Sequence, residues 1–167
     1  MAKLMSSISV VALCLAVLFL PDAPRPAVAQ SRQSTASPAA PGINKVAHRL
    51  ILQVNTNEPA VMNLALNNAA NAEQHFNNIG EKVQIEIVTF GAGLNMLRDD
   101  TSPVKDRIKS LAETSRSISF SACDNTRANM SRAEQKEIPL ISQATVVSSG
   151  VVRVMELQEQ GWSYVRP

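Results

Sequence analysis

The chain has 167 residues, with 16 lysines and arginines against 14 aspartates and glutamates. That near-balance, without a run of basic residues or basic-aromatic interleaving, excludes the electrostatic footprint of a nucleic-acid-binding protein. Two cysteines and two histidines, none paired at ligand spacing, exclude a zinc-type centre, so no metal is expected.

Residues 1–29 read as a signal peptide. Met1 to Lys3 give a positive start, Ile8 to Leu20 an apolar run, and Ala27-Val28-Ala29 a small-x-small cleavage site before Gln30. The run is about 13 residues long against the ~20 a spanning helix needs, so membrane association is expected only through an uncleaved leader. The mature protein is expected to be periplasmic or secreted. Cys14 lies within the run, behind Leu13 where a lipoprotein site calls for a small residue, and so leaves unlipidated with the leader. Cleavage also removes Lys3, Asp22 and Arg25, leaving a formal charge of about +1.

Residues 30–44 are rich in Ser, Gln, Ala and Pro and lack the large apolar side chains that offset ordering entropy, which predicts a flexible linker. Residues 45–167 are long enough for one domain that buries about two-thirds of its unfolded surface without disulfides.

Leu50 to Val54 is nearly continuous in apolar residues, as suits a central strand of a parallel sheet. Asn57 and Pro59 then signal a helix start, and Val61, Ala65, Ala69, Ala72 and Phe76 recur at helical spacing until Gly80. Val83, Ile85 and Ile87 alternate with Gln84 and Glu86, which predicts a strand near a sheet edge with one wet face, at least in its first half. A turn at Gly91-Ala92-Gly93 follows, then a helical turn at Leu94 to Leu97. Ser102-Pro103 opens a second helix carrying Val104, Ile108 and Leu111. Ser117 to Ala122 reads as a strand leading to Cys123, Thr126 to Glu134 as a short helix, and Ala144 to Val147 as a strand. Ser149 caps a last helix that Gly161 closes, and Trp162, Tyr164 and Val165 fall in an extended piece suited to a sheet edge.

Strands alternating with helices predict a three-layer α/β/α sandwich with a mainly parallel sheet of four to five strands. Ligand sites in such sheets lie beyond the carboxyl ends of the strands. Cys123, the one cysteine left after leader removal, falls at such an end and has no internal partner for a disulfide. Asn55, Asn57, Gly91, Gly93, Asn125, Thr126 and Arg127 are expected on the same rim. A free thiol is mostly protonated at neutral pH, but a following helix capped by Asp124 or Asn125 would turn its N–H groups and positive end toward the sulfur, with Arg127 as a further cation and Asp124 opposing. Capping and turn bonding are the ordinary roles of Asn55, Asn57, Asn125 and Thr126, and a tight turn that of Gly91 and Gly93. His48 and His75 offer no general base, which argues against a Cys-His hydrolase.

Four segments together carry a resemblance: Pro59 to Asn68, Gly91-Ala92-Gly93-Leu94, Phe120-x-x-Cys123-x-Asn125-Thr126, and Ser149-Gly150-Val151-Val152. Over nearly all of Lys45 to Pro167 the chain resembles exported members of the DsrE-like sulfur-relay family, departing from them after Thr126, where Arg127 stands and such relatives often carry methionine. The resemblance implies the parallel α/β/α fold, association into trimers or hexamers, and a cysteine, matched by Cys123, that carries sulfur as a persulfide. It thus implies a sulfur carrier or sulfurtransferase needing no cofactor, whose partners are donor and acceptor proteins or small persulfides. The alternative is a non-catalytic, oligomeric module that binds a small ligand or protein and keeps its cysteine for structure.

Overall fold

In the computed structural model residues 48–167 are described; the expected leader, linker and Cys14 lie outside the described residues. Five parallel strands form one sheet in the order β4-β3-β2-β1-β5, numbered along the chain. β1 (His48–Val54) and β2 (Val83–Thr89) pair over their full length, from His48 opposite Val83 to Val54 opposite Thr89. Between them runs α1 (Pro59–Asn78), which starts on Pro59, where a missing N–H costs nothing, and turns Met62, Ala65, Leu66 and Ala69 into the core. Gly80, at φ +76, provides the left-handed residue that turns the chain back toward β2.

β2 is the middle strand of the five, not an edge strand as its alternation had suggested. The polar residue responsible, Glu86, is only 4% exposed. Its carboxylate is satisfied by the partly exposed Arg153 of the last helix, so at Glu86 the alternation marks an ion pair, while Gln84 in the first half of the strand is exposed.

A 3-10 segment, Gly91–Leu97, follows β2 and buries Leu94, Met96 and Leu97. Gly93 lies so close to β1 that a Cβ there would sit 2.1 Å from the Val54 carbonyl oxygen, which leaves room for no other residue. The chain continues through α2 (Lys105–Thr114) to β3 (Ile118–Cys123), then α3 (Asp124–Glu134) and β4 (Ala144–Val147). α4 (Gly150–Glu159) returns the chain across the sheet to β5 (Ser163–Val165), a short edge strand beside β1. Ser149 caps α4 as expected, its hydroxyl accepting from the Val152 N–H.

The sheet is covered unequally. One face packs Leu52, Val54, Ile85, Ile87 and Phe120 against α1, the 3-10 segment and α2 in a single large cluster. The other buries a smaller set, Ile51, Val88 and Leu157, edged by Phe90, Val154 and Trp162, with α4 as its cover. Helices on both faces make this a three-layer α/β/α sandwich with a wholly parallel five-stranded sheet, as the sequence predicts.

Behind the large cluster, Arg98 is 3% exposed and forks onto two carboxylates, bonding Asp100 at 2.9 and 2.8 Å and also Glu134 at the end of α3. Lys136 adds a bond of 2.9 Å to Asp100. These bonds, first among them that from Arg98, hold the Asp100 carboxyl well below the usual carboxylate range and lower that of Glu134. Among the described residues no helix is long and apolar enough to cross a membrane.

Candidate thiol site

Alternation along β3 decides where the sulfur points. Ile118, Phe120 and Ala122 enter the large cluster, so Ser119, Ser121 and Cys123 face the side covered by α4. Cys123 is buried, at 4% exposure, and is the free cysteine among the described residues.

The helix after it begins earlier than Thr126. α3 starts at Asp124, and Cys123 itself occupies the N-cap with extended backbone, φ −71 and ψ 116. At that position a side-chain acceptor normally meets the N–H groups two and three residues on, here Asn125 and Thr126. The sulfur makes no capping bond of standard length. Both N–H groups nevertheless favour a negative charge there, while the Asn125 N–H donates to the Ser148 carbonyl at 3.3 Å and so docks the turn before α4 against the start of α3.

Two further donors complete the surroundings. The Gly91 N–H donates to Thr126 Oγ1 at 3.0 Å, which leaves the threonine hydroxyl proton free to point at the sulfur. On the same face, β4 pairs Val147 with Cys123 and so brings the start of α4 beside the sulfur, where the Gly150 N–H also favours the anion. Burial pushes the Cys123 thiol up, but the Thr126 hydroxyl and the N–H groups of Gly150, Thr126 and Asn125 together outweigh it, and the net displacement is downward, toward thiolate. Two helix N-termini thus converge on one sulfur.

α4 is brought to this place by three contacts along one stripe. At its start Gly150 packs on Phe90, where a Cβ would come within 2.7 Å of the ring. One turn later Arg153 forks onto Glu86, with Nε and Nη2 each 2.7 Å from a carboxylate oxygen, and Ser121 Oγ donates to the same carboxylate at 2.6 Å. A turn further on Leu157 closes the small cluster.

The expected rim residues divide. Thr126, Asn125 and Gly91 join the sulfur's surroundings directly or through one bond. Gly93 shapes the rim by lying flat on Val54 and Asn55. Asn55 and Asn57 lie in the β1–α1 loop at the same end of the sheet, but no hydrogen bond links either side chain to Cys123; Thr56 between them buries its hydroxyl without a partner. Arg127 does not supply a cation to the sulfur: its guanidinium is held by the Ile138 carbonyl and by Glu137, each at 2.9 Å. Sequence reasoning met Gly150 only within the Ser149-Gly150-Val151-Val152 segment and Glu86 only as an alternating polar residue, and it gave neither of them, nor Arg153, a role at the site. The signal for Gly150 was the Ser149 cap, which places a helix N-terminus on the rim, and for Glu86 a lone acid inside an apolar strand.

A parallel α/β/α protein with a sheltered, anion-favouring thiol at a strand end is the class that fold and site define. The comparisons agree with the fold: over 72% of this chain and 99% of the other, it is 30% identical to the protein of unknown function MTH1491 from Methanobacterium thermoautotrophicum, with a TM-score of 0.61. The chain belongs to the same family as that protein. No protein-family model and no curated protein matches it.

Proposed function

We propose that the protein is an exported sulfur carrier of the DsrE-like type, periplasmic or secreted, with Cys123 as the carrier atom. The observation that carries this reading is the place of Cys123, at the N-cap of α3 with the start of α4 docked beside it, where the Thr126 hydroxyl and the N–H groups of Gly150, Thr126 and Asn125 favour the anion despite burial. The Cys123 thiolate attacks the outer sulfur of a donor persulfide R–S–SH, forming Cys123–S–SH and releasing R–S⁻. An acceptor thiolate then attacks that outer sulfur, takes it as its own persulfide, and returns Cys123 as thiolate. Both steps are exchange at sulfur, with no net oxidation and no cofactor. The same donors serve both steps, since Cys123 enters the first as a thiolate nucleophile and leaves the second as a thiolate leaving group.

Homo-oligomerisation into a trimer or hexamer is part of the proposal. It is supported by apolar side chains on the outer side of α4, Val151 and Met155, which are 53% and 54% exposed, beside Val152.

The burial of Cys123 favours a second reading, a non-catalytic, oligomeric binding module in which the cysteine fills space. Intact mass after incubation with a polysulfide, for wild type and Cys123→Ser, separates them. A carrier gains one or more sulfurs, removable by reductant, in the wild type alone. A wild type that gains none while its thiol is open to alkylation rules out the carrier.

A further inference from the structure

Glu86 and Arg153 form an ion pair near the sulfur that the carrier chemistry leaves unused, and its carboxylate lies in a place where a charge is costly. A carboxylate in the middle strand of a sheet loses its hydration, and a well-packed apolar pair would hold α4 to β2 as firmly or more so. What an apolar pair does not supply is register. The fork from Arg153 meets both oxygens of Glu86 at 2.7 Å, and Ser121 fixes one of them at 2.6 Å, so the carboxylate plane, and with it the guanidinium plane, has one orientation. Ser121 lies two residues before Cys123 on the same face of β3, and Arg153 lies one turn after Gly150 on the same stripe of α4.

The clamp therefore ties the strand that carries the sulfur to a helix whose start lies beside it, since Val147 pairs with Cys123 and Ser148 accepts from the Asn125 N–H at 3.3 Å; the fork sits one turn into that helix. Sliding or rotating α4 would move its first N–H groups relative to the sulfur, and of the contacts along the stripe the fork is the one whose geometry is directional. We propose that Glu86 and Arg153 are positioning residues for the Cys123 anion, acting through the register of α4 and not through their own charges. This deepens the carrier reading and rests on it.

The charged groups nearest the sulfur in sequence are Asp124, which is exposed, and Arg127, which is committed to Glu137, both on α3; the starts of α4 and of the 3-10 segment bring none. That leaves the clamp open to a test in which position and charge predict opposite signs. Deleting the negative charge by Glu86→Gln would make the thiol more acidic if charge were the route; loss of register makes it less acidic. Arg153→Lys keeps the charge and loses the fork, so charge predicts no change and register predicts a less acidic thiol.

The measurement is the iodoacetamide alkylation rate of Cys123 against pH in the full chain, read on the Cys123 peptide by mass spectrometry, with circular dichroism to confirm folding. The expected result is a profile displaced to higher pH in both variants, with the rate at pH 6 falling about tenfold, since a hydrogen bond to a charged acceptor is lost. Ser121→Ala, which leaves both charges and removes the third member, should move the profile the same way by less, and it stands in if either variant fails to fold. An acid-shifted wild-type profile that none of these variants displaces to higher pH overturns the positioning role alone. A wild-type profile like that of a free thiol overturns the carrier reading beneath it.

Discussion

The two faces of the sheet are built on different principles. On the face covered by α1, the 3-10 segment and α2, buried side chains are nearly all large and apolar, and the order of the core follows from shape and volume. On the face covered by α4 the apolar set is small, and between it and the rim stand a carboxylate, a guanidinium, a serine hydroxyl and a thiol. The first face gives the domain its stability, and the second gives one helix a defined register. A protein with a reactive atom gains from the separation, because adjusting the polar face leaves the large core untouched.

The largest expected effect tests the first half of that contrast. Phe120→Ala, on the crowded face, should cost about 3–5 kcal/mol, and Leu157→Ala, on the α4 face, should fall at the low end of about 2–5 kcal/mol, both measured by denaturant unfolding. Equal costs would break the comparison. Next comes Thr126→Val, which keeps the shape and removes the hydroxyl that favours the thiolate. Stability should change by about 1 kcal/mol or less, while alkylation of Cys123 at pH 6 slows about tenfold. A stability loss with no change in reactivity would make the threonine a packing residue.

The smallest effect sharpens the contrast from the other side. Asp100 and Glu134 have carboxyl groups lowered by Arg98, so their contribution to stability is present above the ordinary carboxylate range and is lost as pH falls through it toward the lowered values. Unfolding midpoints should therefore be flat above about pH 5 and decline below about pH 4, and Arg98→Gln should lessen the acid dependence. A decline of the same size in that variant would assign the acid sensitivity elsewhere.

What was legible in the sequence follows the range of the interactions. α1, the strand at Ala144 to Val147 and the Ser149 cap are written in neighbouring residues, and a reader of periodicity and caps finds them. Cys123 was visible because a buried run stops there. β2 was misplaced because its centre residue, Glu86, finds its partner 67 residues later, and no local pattern distinguishes an acid facing water from an acid facing an arginine. The start of α3 was set two residues late because a cysteine is not among the usual capping residues, so Asp124 and Asn125 drew the assignment. Arg127 was assigned to the sulfur by proximity in sequence, whereas its side chain turns to Ile138 and Glu137.

The strand order has a consequence for the moment at which the sulfur acquires its character. Because α4 and β5 come last and close back over the first strand, a chain emerging in sequence order completes β1 to β4 before the helix that supplies the Gly150 N–H exists. Until then the thiol lacks one of its donors and the cover on its face, and it behaves more like an ordinary cysteine. Acidity at Cys123 is thus a late event in the birth of the molecule, and it doubles as a chemical report that the carboxyl-terminal end of the chain has found its place.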